Sequence, residues 1–231
     1  MMTRVAALAA TLTLTLTACT GGDDGGGDET DTDALAARLA SAQKTLDAAE
    51  TIELSLATKE LPNGVTGLLS AEGTGNHSPA FQGTVTVVTG GASLDADVIA
   101  TGGSVWAKTG FSPAFLTIDP ATLKAPDPAS LFVAGKGVSG LLPATEDLED
   151  GGEKRDGSDV LSTITGTLEG GDVQALIPSA DVDGSFDVEW RLDDDDVLRD
   201  ATVKGPFYDD SDVTYTLKVS TSDEPVQITK P

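Results

Sequence analysis

Five stretches of this chain alternate apolar and polar residues with a period of two, and that rhythm narrows the folds open to it. Ile52, Leu54 and Leu56 alternate with Glu53, Ser55 and Ala57, and Val85 and Val87 with Thr84 and Thr86. Leu94, Ala96, Val98 and Ala100 lie opposite Asp95, Asp97 and Ile99. Late in the chain Phe186, Val188, Trp190 and Leu192 alternate with charged residues, and Val213, Tyr215, Leu217 and Val219 with Thr214, Thr216, Lys218 and Ser220. Successive strand residues point to opposite faces, so each stretch predicts a strand with one dry and one wet side, the antiparallel pattern. Gly90-Gly91, Gly102-Gly103, Asp156-Gly157 and Asp193 to Asp196 supply turns.

Helical signals are few. Leu35, Leu39, Ala42, Leu46 and Ala49 recur at three- and four-residue steps, with Asp31 or Asp33 placed to cap the start. Pro113, Pro120, Pro126 and Pro128 then break the rhythm, and residues 129–142 read as a weak, glycine-interrupted helix. A short helix is predicted from Asp172 to Ile177, stopping before Pro178. Strands on both sides of helical inserts, without regular β-α-β alternation, indicate an α+β fold. Aromatics make up only 4% of the chain, so its core is built of Ala, Val, Leu and Ile. Small core residues fit a tightly packed sheet or a concave interior left unfilled. The helices look too few and too short to cover a wide sheet, which makes a cavity plausible.

Cys19 is the only cysteine, and it follows Leu16-Thr17-Ala18. Arg4, the apolar run from Val5 to Leu16 and small residues before Cys19 read as a signal peptide, residues 1–18, ending at a lipobox. The run is shorter than the roughly 20 residues a membrane span needs. Cys19 is therefore the expected lipidation site, at the head of a flexible Gly/Asp-rich tether over residues 19–33. Residues 34–231 form the expected single domain, with no second cysteine for a disulfide. The formal charge of −24 argues against nucleic acid and against an electrostatic grip on anionic lipid, so attachment falls to acyl chains.

Catalytic signals are weak. His77, the only histidine, sits in Gly75-Asn76-His77-Ser78-Pro79, a turn where a solvated ring is expected. No nucleophile elbow accompanies it, and one His with one lipidated Cys cannot furnish a usual zinc site. Asp181-Val182-Asp183-Gly184 and Asp193 to Asp196 are open to calcium, but both fall at hairpin ends, where Asp serves turn chemistry. No carboxylate pair stands out for glycoside hydrolysis, and no glycine-rich loop opens a helix to cradle phosphate. The residues point to no enzyme, no metal and no cofactor.

A series of motifs runs along nearly the whole chain, beginning with the lipobox at Cys19, the helix from Leu35 to Ala49, and Leu94-Asp95-Ala96-Asp97-Val98 with Val105-Trp106-Ala107. It continues through Asp127-Pro128, Arg155-Asp156-Gly157 with Ile164-Thr165-Gly166, and Ile177-Pro178. It closes with Val188-Glu189-Trp190, Val197-Leu198-Arg199 and Val226 to Pro231. In their order and spacing these motifs resemble the actinobacterial LppX/LprA/LprF/LprG lipoproteins. The resemblance implies a half-barrel antiparallel sheet, its concave face covered by a few helices around an apolar cavity. It also implies binding of multi-acyl lipids or lipoglycans and their movement across the envelope, with a membrane lipid transporter as candidate partner. The expected location is the outer face of the cytoplasmic membrane, anchored through acylated Cys19. Candidate wall residues on the dry faces are Val85, Val87, Leu94, Val98, Trp106, Phe186, Val188 and Trp190, with Leu131, Phe132, Leu141 and Leu142 as helical cover. The alternative is a surface interaction or scaffold module with a filled core.

Overall fold

A computed structural model describes residues 27–123, 125–208 and 211–231. Cys19, the signal peptide and the first part of the expected tether lie outside the described residues. Helix α1 (Gly27–Ala48) starts ahead of Asp31 and Asp33 and so takes in the end of the Gly/Asp-rich stretch. It buries Leu39, Ala42 and Leu46 along one face, with Ala49 just beyond its end.

Six strands follow as a meander: β1 (Thr51–Thr58), β2 (Gly67–Asn76), β3 (Ala80–Thr89), β4 (Ala92–Thr101), β5 (Ser104–Thr109) and β6 (Leu116–Ile118). A second meander holds β7 (Glu146–Asp156), β8 (Asp159–Glu169), β9 (Ser185–Leu192), β10 (Leu198–Tyr208) and β11 (Ser211–Ser222). Pairing of β1 with β11 joins the two, from Thr51 opposite Ser222 to Thr58 opposite Tyr215. The result is one open antiparallel half-barrel of 11 strands, ordered β6-β5-β4-β3-β2-β1-β11-β10-β9-β8-β7. Each edge is blunted differently. β6 is three residues long, and β7 is an acidic, almost wholly exposed strand; both devices discourage pairing with another chain.

This order dictates what covers the sheet. β6 and β7 are consecutive in sequence yet occupy opposite edges. Strands about 4.8 Å apart put those edges about 48 Å apart along the arc, so residues 119–145 must cross the sheet from side to side. They do so over the concave face, carrying the 3-10 turn Pro128–Phe132 and the single-turn helix α2 (Val138–Leu141). The continuous helix expected over residues 129–142 is thus two short pieces. Between them Gly135 holds φ +66°, a left-handed conformation that breaks helical hydrogen bonding. Helix α3 (Gly170–Leu176) matches its prediction closely.

The crossing segment is seated by close fits. The Phe132 ring lies so near bare β2 backbone that a Cβ on Gly75 would fall 2.5 Å from it. The same ring stacks on Phe81 of β3, centroids 5.9 Å apart. Asp127 caps the 3-10 turn, its Oδ1 accepting from the Ala129 N–H at 3.0 Å. On the convex face Arg191 of β9 makes a bidentate pair with Asp200 of β10, at 2.5 and 2.6 Å. The Asp200 hydrogen bond, outweighing partial burial, holds the guanidinium above its ordinary titration range.

Candidate functional site

The interior is filled unevenly. Beneath β8 to β11 the inward faces carry Phe186, Trp190, Phe207, Tyr208 and Tyr215, all fully buried. Phe207 packs edge-on to both Phe186 and Tyr215, at 4.8 and 4.9 Å between centroids. Beneath β3 to β5 the inward residues past Phe81 are Gly83, Thr109 and otherwise Val, Ala and Leu, and there the side chains do not meet the cover. A cavity of about 150 Å³ remains. Val85, Val87, Leu94 and Val98 form its floor with Val105 and Ala107, while Pro120, Leu123, Pro126 and Leu131 of the crossing segment roof it. Thr109 is the one polar side chain on this wall, and no titratable group reaches it.

A second apolar space of about 50 Å³ lies deeper, between Leu56, Leu141, Val173, Leu176, Trp190 and Phe207. Its polar groups are spoken for: Trp190 Nε1 donates to Thr145 Oγ1 at 3.0 Å, and that hydroxyl donates to the Leu141 carbonyl at 2.9 Å. Leu131 borders both spaces and stands between them. Larger hollows on the outside, around Glu53 and Lys218 and between α1 and β7, are polar and open.

Of the residues singled out from sequence, Val85, Val87, Leu94 and Val98 line the larger cavity, Leu141 and Trp190 the smaller, and Leu131 both. Phe132 instead packs beside His77 at a void of about 10 Å³, hardly the volume of one water. Leu142, Phe186 and Val188 are fully buried in packed core and line neither space. Trp106 was expected on the wall and lies on the opposite face. Val105, Ala107 and Thr109 take the inward positions of β5, so Trp106 turns outward, where Lys230 Nζ sits 5.7 Å from its ring centroid. Sequence reading missed the roof prolines and the inward β5 residues; the Val105-Ala107-Thr109 alternation was the available signal.

His77 is not the solvated turn residue expected. Its Nδ1 is 2.8 Å from the Phe132 carbonyl oxygen and its Nε2 3.0 Å from that of Leu46, so neither nitrogen is left to activate a nucleophile. The Asp turns are likewise occupied. Asp193 accepts from the backbone N–H of Asp195 and Val197 and pairs with Arg199, while Asp196 pairs with Arg38 at 2.6 Å. Among the described residues no group of three or more His, Cys, Asp or Glu is placed to hold a metal ion. No helix among them is long and apolar enough to cross a membrane.

Comparison with known proteins agrees with this geometry. The family model described as LppX_LprAFG lipoprotein matches residues 33–228. Solved structures of LprF from Mycobacterium bovis and of the lipoprotein LppX from Mycobacterium tuberculosis share the fold. The first aligns at TM-score 0.67 and 12% identity, over 86% of this chain and 97% of its own. The second aligns at TM-score 0.59 and 18% identity, over 85% of this chain and 99% of its own. No curated protein matches the sequence.

Proposed function

The chain belongs to the LppX_LprAFG lipoprotein family, and from that premise we infer that it is an envelope carrier of multi-acyl lipids or glycolipids. The observation that carries this reading is a wall of aliphatic side chains with a single hydroxyl and no titratable group, beneath a roof that is one irregular crossing segment. Such a wall offers no chemistry to a reactant. It does offer hydrocarbon a replacement for membrane. Lifting one sixteen-carbon chain from a bilayer into water costs on the order of 12 kcal/mol, at about 0.8 per methylene, and apolar wall offsets that cost.

The cavities, of about 150 and 50 Å³, are smaller than the roughly 300–1,000 Å³ of ordinary ligand sites. Loading therefore requires the crossing segment to lift. Its short helical pieces and the hinge at Gly135 and Gly137 suit that movement. The same small volumes favour a second reading, a filled scaffold module that holds a protein partner at the envelope.

Cys19 is proposed as the acylated first residue after signal-peptide removal, placing the domain on the outer face of the membrane. A membrane lipid transporter is the proposed source or acceptor of cargo. Native mass spectrometry on protein purified from its own host separates the two readings. A co-purifying lipid of two or more acyl chains supports carriage, and lipid-free protein that remains so with lipid supplied supports the scaffold. Cys19→Ala should release the protein from membranes; a variant still retained there refutes the anchor.

A further inference from the structure

Acidic residues are sparse in the middle of this chain. Only Asp119 and Asp127 of its 38 acids fall between Val98 and Thr145. The turn joining β5 to β6 lies in this gap and bears the most exposed large apolar residue of those described, Phe111, at 92%. Pro113 and Ala114 beside it are also exposed, and Leu116 is 59% exposed. Leu116 pairs with Ala107, so both lie on the same, concave face of the sheet. Ala107 lines the larger cavity, as do Ile118 at the inner end of the hairpin and Thr109 where β5 enters the tip. An apolar path thus runs from the cavity wall through Leu116 to Phe111 at the tip.

Three donors of the tip are closed within the loop itself. The Ser112 N–H donates to the Thr109 carbonyl at 3.0 Å, the Phe111 N–H to Thr109 Oγ1 at 3.3 Å, and Ser112 Oγ to the Ala114 carbonyl at 2.8 Å. Lys108 Nζ lies 5.9 Å from the Phe115 ring centroid, and its charge is met by Asp97 Oδ2 at 3.7 Å. Donors closed in this way can leave water without being stranded, and they present little directional polarity to a protein partner. The geometry points to the β5–β6 tip as the surface that dips into the lipid leaflet, with Phe111 leading, so that the mouth of the cavity opens against hydrocarbon. This assignment rests on the carrier reading and adds where the lipid enters. With −24 on the whole chain, the leaflet it suits is zwitterionic or uncharged.

The test uses protein purified with its native anchor, reconstituted on phosphatidylcholine vesicles with or without brominated acyl chains. Phe111→Trp reports from the tip. Val182→Trp reports from a second exposed apolar position, 50% exposed in the turn before β9. Fluorescence is read as the difference from the parent protein, which carries Trp106 and Trp190. The signal added by Phe111→Trp should shift blue and be quenched by bromine, whereas that added by Val182→Trp should not. Phe111→Asp should slow lipid uptake from vesicles about tenfold. An unquenched tip indole, or equal quenching in the two tryptophan variants, overturns the assignment. Quenching at the tip in a protein that never carries lipid leaves the docking surface standing and removes the carrier reading. Lipid carried without quenching does the reverse.

Discussion

His77 Nδ1 lies 2.8 Å from the carbonyl oxygen of Phe132, and through its other nitrogen the same ring reaches the carbonyl of Leu46 at 3.0 Å. One side chain on the β2–β3 turn therefore bridges the crossing segment and the last turn of α1, where the Leu46 carbonyl also accepts a long 3.4 Å bond from the Ala49 N–H. A second tie is parallel to it: Asp47 Oδ1 accepts from the Gly135 N–H at 3.1 Å. His77→Phe keeps a ring in place and removes both nitrogens, leaving the Leu46 carbonyl with only its long Ala49 bond and the Phe132 carbonyl without this partner. The expected loss is about 1–3 kcal/mol in urea unfolding, with faster amide exchange over residues 128–142. Unchanged exchange there would show that the ring does not hold the cover.

Tyr208 and Tyr215 complete a gap in the sheet. At the irregularity between Leu68 and Ser70 on β2, the Leu68 N–H donates to Tyr208 Oη at 3.1 Å. Tyr215 Oη donates to the Leu68 carbonyl, so across the 2.9 Å between the phenols Tyr208 is the donor. Burial first, and then Tyr208, push Tyr215 far above the ordinary phenol value of 10.0. In the unfolded chain the phenol ionises near that value, whereas in the fold it stays neutral. Its stabilising contribution is therefore complete below about pH 10 and declines as pH rises beyond it. Urea midpoints taken from pH 8 to 11 should fall at the alkaline end. Tyr215→Phe should lower stability at pH 8 by about 1–3 kcal/mol and flatten that decline.

The dry faces of β1, β9 and β11 were legible in the sequence because each has its inner side buried and its outer side wet, and those of β3 and β4 because the cavity side is apolar although Val85, Leu94 and Ala96 are only partly buried. β7 was not, since Glu146–Asp156 buries almost nothing and so carries no alternation to read. Lys204-Gly205-Pro206 hid the middle of β10; Gly205 is required there because the Phe186 ring lies where its Cβ would go. The roof was visible only as a loss of rhythm rich in proline. What makes those residues a roof is topological: they join the two edges of one sheet, and no local spacing encodes that. Trp106 shows that size does not mark the inner face: it lies on the outer side of β5, while its smaller neighbours Val105 and Ala107 line the cavity.

Leu131 is the partition between the two apolar spaces. Leu131→Ala should join them into one chamber. Because cavities already flank the site, the expected destabilisation is toward the lower end of the roughly 2–5 kcal/mol seen for Leu→Ala in cores. The chamber gained should favour longer chains. In a titration with fluorescent fatty acids of increasing length, the variant should extend the length at which affinity stops rising. Leu131→Phe should shorten it, and identical profiles for all three proteins would show that Leu131 divides nothing a ligand uses.

Val98 is 5% exposed and central to the floor of the larger cavity, paired with Gly83 on β3 and Ala107 on β5. Both neighbours are small, so Val98→Trp has the open cavity as the direction in which to place its ring. Overpacking of this kind costs about 1–3 kcal/mol, but here part of the added volume enters space that is empty. The variant should fold, and lipid should disappear from its native mass spectrum. Trp106→Ala is the matched control, since it removes a large side chain from the same sheet on the convex face and leaves the cavity wall untouched. It should carry as much lipid as the parent. If Val98→Trp folds and still carries lipid, hydrocarbon does not rest on this floor, and the carrier reading must find its room elsewhere in the fold.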